Sequence, residues 1–346
     1  MTATPNPCGL RGLAFVTIAA PDPDAIHRLL LAFGFSRTMH HARRALDLYR
    51  QGAIDLVLDR SRAGFAAGFA GAHGPSICAL GWNVADAPAA LRTALERGGT
   101  AGAGDLLHAD GTPVPAIAGI GGSLIYLVDP CDTWTTLGFV PLDHPDRVAS
   151  LGFTAIDHLT NNVPRGELDR WSSFYRDIFA FTDVRYFDIR GVKTGLHSFA
   201  LRSPCGTFCI PINEGTETGS QIDEYLEDYR GPGIQHLAFL TEDILGALRG
   251  LEGRPIEFLD IDDDYYRDVF ERVPNVREDH AELAARDVLI DGDAEGYLLQ
   301  IFTRNLIGPI FIELIQRRNH ASFGEGNFGA LFRSIERDQQ RRGYLS

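Results

Sequence analysis

The chain repeats itself. GPSICALGWNVADAPAALR, from Gly74, aligns without a gap on GPGIQHLAFLTEDILGALR, from Gly231, with eight of nineteen positions identical. A repeat on this scale constrains the fold more than any local pattern, because each copy is one supersecondary unit that buries its apolar face against others of its kind. Two further pairings follow from it. IDHLT, around His158, falls on LAFVT, around Phe15, and FIELIQR, around Glu313, falls on LIYLV, which sets Glu313 opposite Leu127. In the long repeat His236 falls on Ala79. Three ligand-type residues of the second half therefore have apolar or small counterparts in the first. Three such contrasts together predict one metal site, kept in the second half and absent from the first.

The length of 346 residues suits two domains, expected at 1–148 and 149–346 and joined near VPLDHPDRVASLG, residues 140–152. The net charge of −14 argues against nucleic acid and against anionic membrane surfaces as partners. Neither a spanning run of apolar residues nor a secretory signal is legible, so a cytoplasmic protein is expected. Five scattered cysteines (Cys8, Cys78, Cys131, Cys205 and Cys209) make no disulfide framework and point to a reducing compartment. Cys205 and Cys209 have no second pair at zinc spacing. The glycine turn at 119–122 lacks the lysine and spacing of a phosphate loop.

Each half reads as strand, helix, several strands, then the same again. LAFVTIAA and AIDHLTNNV are strands, each followed by a helical pattern, DAIHRLLLAFGF and ELDRWSSFYRDIFAF. VRYFDI, HSFALRS, TFCIPIN and IQHLAFLT read as strands, DILGALRGL as a helix, and LLQIFTR with IFIELIQR as a hairpin-like pair. In the tail, Phe328, Leu331, Phe332 and Ile335 recur at i, i+3, i+4 and i+7 behind the glycine-rich FGEGN, and Asn327 is the expected N-cap. That helix could pack permanently or close over a cavity. The fold class is α+β, curled and mostly antiparallel sheets with helices outside and a C-terminal helix.

His158, His236 and Glu313 all fall on predicted strands among apolar neighbours. Two imidazoles and one carboxylate leave three positions open on an octahedral ion, the donor set of non-haem Fe(II) oxygenases. A buried Glu313 needs a cation, which Arg317 or Arg318 could also supply. Most of the other histidines are expected on the surface. Residues two apart on a strand share a face. Phe311 therefore accompanies Glu313, Phe302 accompanies Gln300, and Pro211 accompanies Asn213, whereas Gln235 would point away from His236. A cavity lined by Gln, Asn and Phe suits an aromatic ring that bears a hydroxyl.

The motifs IDHLTNNV, YFDIRG, CIPINE, SQIDEYL, GIQHLAFLTEDI, LLQIFT, FIELIQR and FGEGNFGALFRSIERDQ together resemble the 4-hydroxyphenylpyruvate dioxygenase family, most strongly over residues 151–346. The resemblance implies two tandem vicinal-oxygen-chelate domains of paired βαβββ modules. It also implies Fe(II) as cofactor, with 4-hydroxyphenylpyruvate and O₂ converted to homogentisate and CO₂ in tyrosine breakdown. Carried over by motif, His158, His236 and Glu313 are the iron ligands. Ser198, Asn213, Gln221 and Gln235 form a polar network near the substrate, with Gln300 near the iron. Pro211, Phe302, Phe311, Phe323, Asn327 and Phe328 form the substrate pocket, and the last helix is its gate. A homo-oligomer is expected. Competing readings are 4-hydroxymandelate synthase, with the same metal and substrate, and a non-catalytic protein that binds small aromatic compounds. The acidic stretch at 260–264 departs from the family pattern and has no role at this level.

Overall fold

The computed structural model describes residues 5–129, 133–191 and 193–345. The first half supplies β1 (Leu10–Ala19), β2 (Ser36–His41), β3 (Leu46–Gln51), β4 (Ile54–Asp59), β5 (Ser76–Val84), β6 (Ala116–Ala118), β7 (Leu124–Val128) and β8 (Phe139–Asp146). The second supplies β9 (Phe153–Val163), β10 (Thr182–Arg190), β11 (Gly195–Arg202), β12 (Cys209–Gly215), β13 (Gly233–Thr241), β14 (Leu289–Gly292), β15 (Tyr297–Phe302) and β16 (Phe311–Arg318). Two eight-stranded sheets result, in the orders β6-β7-β5-β1-β4-β3-β2-β8 and β10-β11-β12-β9-β13-β16-β15-β14. Each is antiparallel except at two pairs, β1·β4 and β5·β7 in one, β9·β12 and β13·β16 in the other. In the second half a helix follows β9 and another follows β13, so two βαβββ modules stand back to back.

The two halves share a core. Trp82 of β5 sits edge-on to Phe179, with ring centroids 4.9 Å apart, and also touches Phe181 and Phe208. Phe33 and Phe35 meet Phe239 of β13. Burying aromatic side chains of this size removes the most apolar area per residue from water, so the first half supports the second directly.

Part of the expected linker is sheet. Residues 140–146 belong to β8, whose partner is β2. Pro141 and Pro145 disguise it, but β8 is the edge of its sheet, where a missing N–H is tolerated. Cys8, Cys78, Cys205 and Cys209 are free thiols, as expected, and Cys131 lies outside the described residues. Among the remaining histidines His41 is an exception to the expected surface placement: it is buried, accepts from the Arg43 and Arg44 amides at Nδ1, and meets the Leu107 carbonyl at Nε2. No helix among the described residues is long and apolar enough to cross a membrane.

The tail forms one helix, Phe328–Arg341, docked on the second sheet. The acidic stretch left without a role faces it. Asp260 takes an ion pair from Arg341 at 2.7 Å, and Asp262 takes one from Arg337 at 2.5 Å with Arg333 at 3.7 Å. Arg333, Arg337 and Arg341 recur every four residues, which is one face of a helix. Exposed pairs contribute about 0–1 kcal/mol each, so the seam orients the helix while Phe332, packed with Leu196 and Ile222, supplies its apolar anchor.

Candidate metal centre

Strand register brings the three expected ligands together. Across the central pair of the second sheet Ala238 opposes His158, and across the next pair His236 opposes Phe311 and Ala238 opposes Glu313. His158, His236 and Glu313 thus come from three adjacent strands and present donor atoms that all lie within 4.8 Å of one another. His158 Nε2 is 3.2 Å from Glu313 Oε2 and 3.3 Å from His236 Nε2, and His236 Nε2 is 3.6 Å from the same carboxylate oxygen. An ion with bonds of about 2.1 Å holds neighbouring donors ~3.0 to ~3.4 Å apart, so the triangle is already metal-sized.

The same register corrects one correspondence. In the first sheet Phe15 opposes Gly81 and Ala79 opposes Leu124. Phe15 and Ala79 therefore stand where His158 and His236 do. Glu313, two residues beyond Phe311, matches Tyr126, two beyond Leu124, and not Leu127. The Phe15 and Tyr126 rings lie 6.2 Å apart in the space the ligands occupy in the other half. A Cβ on Gly81 would overlap the Phe15 ring, so that glycine makes room for it.

Two β-bulges complete the site. The ladder between β9 and β13 shifts register between Ile234 and His236, and again between Ala238 and Phe239. The extra residues are Gln235 on β13 and Asp157 on β9. A bulge re-aims its side chain, which is why Gln235 faces the cavity and not the far side as strict alternation would have it. Each bulge residue also holds the imidazole next to it: Asp157 Oδ2 lies 2.8 Å from His158 Nδ1, and Gln235 Oε1 lies 3.1 Å from His236 Nδ1. Carboxylate and amide oxygens only accept, so both Nδ1 atoms carry a hydrogen and both Nε2 atoms face the centre, where a metal would take their lone pairs. Ala14 and Cys78 occupy the matching bulges of the first sheet.

Electrostatics favour a cation. The Asp157 carboxylate accepts a two-pronged bond from Arg317, 2.8 Å on each prong. Burial alone would raise that carboxyl, but the bonds from Arg317 and His158 hold it well below the usual range. Arg318 pairs with Glu242. Neither arginine therefore pairs directly with Glu313, which is only 2% exposed and, among the described residues, has the His158 and His236 imidazoles as its ion-pair partners. A buried carboxylate left so costs several kcal/mol unless an ion compensates it. Burial opposes charge on His158, yet Glu313 and Asp157 outweigh it and raise the imidazole to about 9. His236 goes the other way, driven well below the ordinary value by burial and then by the charge on His158. A divalent ion bound to both Nε2 atoms and to Glu313 satisfies all three groups, so these residues fit a metal.

One cavity is lined by every residue singled out from the sequence, from the three ligands through Ser198, Pro211, Asn213, Gln221, Gln235 and Gln300 to Phe302, Phe311, Phe323, Asn327 and Phe328. Ser198 and Asn213 oppose each other across β11·β12. Phe311 stacks on His236, with centroids 4.7 Å apart, and Phe323 sits edge-on to His158 at 5.7 Å. Asn327 does not cap its helix. Its amide donates to Gln300 Oε1 at 2.8 Å and accepts from the Tyr265 hydroxyl at 2.7 Å, while Gln300 Nε2 donates to Glu313 Oε1 at 3.1 Å. Sequence reasoning missed Phe187, the wall on which Phe328 packs at 5.3 Å. It is the one buried residue of β10, a strand whose sequence carries no clean alternation. Asp157 and Tyr265 were missed as well. A carboxylate directly before a candidate ligand was the available signal for Asp157.

The curled sheets and the three-donor centre define a class, and the sequence comparisons agree: residues 155–288 match the model of the glyoxalase/bleomycin resistance protein/dioxygenase superfamily. Residues 4–140 match the model described as hydroxyphenylpyruvate dioxygenase, N-terminal. A 4-hydroxyphenylpyruvate dioxygenase of Legionella pneumophila is 45% identical over 98% of both chains, and one of Pseudomonas aeruginosa is 43% identical over 98% of this chain and 97% of its own. Protein MelA of Shewanella colwelliana is 50% identical over the whole of both. The chain belongs to the 4-hydroxyphenylpyruvate dioxygenase family and is a dioxygenase. Among solved structures, a mutant of 4-hydroxymandelate synthase from Streptomyces coelicolor superposes with a TM-score of 0.83 at 25% identity, covering 96% of this chain and 99% of that one.

Proposed function

We propose that the chain converts 4-hydroxyphenylpyruvate and O₂ to homogentisate and CO₂, a step of tyrosine breakdown, with Fe(II) held by His158, His236 and Glu313. In this reading residues 149–346 are the catalytic domain and 1–148 a metal-free partner. One observation carries it: a buried three-donor centre opens into a cavity walled by phenyl rings and furnished with amides. Bound Fe(II) supplies Lewis-acid and redox chemistry to the 2-oxo acid and O₂ through positions the protein leaves open.

The protein's part is binding, orientation and exclusion of water. Phe302 and Phe311 hold the ring from β15 and β16. Ser198, Asn213, Gln221 and Gln235 offer hydrogen bonds to its hydroxyl, and Pro211 narrows the floor between them. Gln300 fixes the Glu313 carboxylate while its own carbonyl is held by Asn327. Phe323 and Phe328 close the cavity on the tail side, and the docked helix keeps water from a reactive centre. Val184 and Tyr186, apolar and exposed on the edge strand β10, support an expected contact between copies, which mass in solution tests.

The likeness to 4-hydroxymandelate synthase favours a second reading, in which the same substrate is hydroxylated at its benzylic carbon. Phe302 and Pro211 match the ring-hydroxylating pattern, so homogentisate is the expected product. The test is anaerobic loading with Fe(II), addition of 4-hydroxyphenylpyruvate and O₂, and identification of the product by mass and retention. 4-Hydroxymandelate as main product reverses the assignment, and substrate binding without O₂ uptake leaves only a binding protein.

A further inference from the structure

Arg317 lies on β16 four residues beyond Glu313, on the same face of the strand. Its guanidinium does two things at once. Nε and Nη2 grip both oxygens of Asp157, the bulge residue that holds His158 Nδ1. Nη1 donates in the opposite direction, to the carbonyls of Ser322 at 2.6 Å and His320 at 3.1 Å. Those carbonyls belong to the turn from which the tail rises. The backbone there passes through positive φ at Asn319 (53°) and Gly324 (80°), and Phe323 is set edge-on to the His158 ring between them. One half-buried side chain therefore ties an imidazole of the metal centre to the base of the lid. Among the described residues no other arginine or lysine bonds to Asp157, and a planar fork is required: a lysine ammonium, a single point, cannot span a carboxylate and two carbonyls.

We propose that Arg317 is a positioning residue that couples metal occupancy to closure of the tail, by fixing His158 through Asp157 while pinning the 320–322 turn. The proposal rests on His158 as a metal ligand. Metal binding tightens the His158–Asp157–Arg317 relay and thereby orders the turn, and by reciprocity a pinned turn raises metal affinity by the same factor.

The experiment uses the full-length protein and Co(II) as probe, without substrate. It combines calorimetric titration with hydrogen exchange of the amides at 320–327, for wild type, Arg317→Lys and Asp157→Asn. In wild type, Co(II) slows exchange at these amides at least ~5-fold, the low end of ordinary coupling. Arg317→Lys weakens Co(II) binding ~10- to 100-fold, the range for loss of an outer-sphere partner, and abolishes the Co(II)-induced slowing. A merely structural arginine would lower the melting temperature and leave both readouts of the folded protein intact, which overturns the proposal. So does weakened binding with the slowing retained. Should Arg317→Lys fail to fold, the nearly isosteric Asp157→Asn decides on the same two readouts, with unchanged affinity as the overturning result. A wild type that does not bind Co(II) refutes the metal centre itself, a distinct outcome.

Discussion

Loading the centre with a divalent metal at pH 7 should expel about one proton per chain. In the metal-free protein His158 is raised from its ordinary 6.5 to about 9, because Glu313 and Asp157 together outweigh the effect of burial. His236 is driven well below 6.5 and is already neutral at that pH. A metal takes only the unprotonated Nε2, so the His158 proton must leave. An imidazole with a pKa near 9 is ~99% protonated at pH 7, whereas an unperturbed one is ~24% protonated. The structure therefore predicts release of ~1 proton, against ~0.5 for a pair of ordinary histidines. Competition of proton with metal also weakens binding ~100-fold at pH 7 relative to its plateau above pH 9, or ~2.7 kcal/mol. Calorimetry with Co(II) in buffers of different ionisation enthalpy counts the proton, and titrations from pH 6.5 to 8.5 give the tenfold gain per pH unit. Release of ~0.5, or an affinity flat across that range, would refute the assignment of the charged imidazole to His158.

The same group governs stability without metal. Its folded pKa lies above the unfolded one, so its contribution is complete below about pH 6.5 and is lost as pH rises through about 9. The metal-free melting temperature should fall over that window, by up to ~3 kcal/mol of stability, and Glu313→Gln should flatten the profile; an unchanged profile in the variant counts against the pairing. Phe328→Ala removes a half-buried ring that packs on Phe187. It should raise substrate KM and uncouple O₂ uptake from product while costing under ~2 kcal/mol, well short of a full core deletion; large destabilisation with intact coupling would make the tail plain packing. Gly324→Ala places a methyl on the Gln300 amide oxygen at a φ of 80°. Left-handed strain alone costs roughly 1–2 kcal/mol, and displaced Gln300 releases both Glu313 and Asn327, so coupling between O₂ and product should drop even where the protein stays folded.

Much of this protein was legible in one sequence. The repeat set two similar halves, and the contrast of His158, His236 and Glu313 with small or apolar counterparts located the centre. Alternation put Phe302, Phe311 and Pro211 on one face with Gln300, Glu313 and Asn213, helical spacing gave the tail an apolar face, and the family resemblance supplied Ser198, Gln221, Gln235, Phe323 and Phe328. These are properties of residue type and local period, which a chain carries before it folds. Register was not among them. Glu313 answers to Tyr126 and not Leu127 because a ladder shift of one residue exchanges the faces of a strand. Gln235 turns inward, and Asp157 reaches His158, because bulges add a residue to β13 and β9. Asn327 serves Gln300 and not its own helix, and the acidic stretch at 260–264 finds its partners on a helix some seventy to eighty residues later. Each of these depends on pairing or packing with a segment remote in sequence. Only the packed sheet, by fixing which remote groups come within hydrogen-bond distance, decides it.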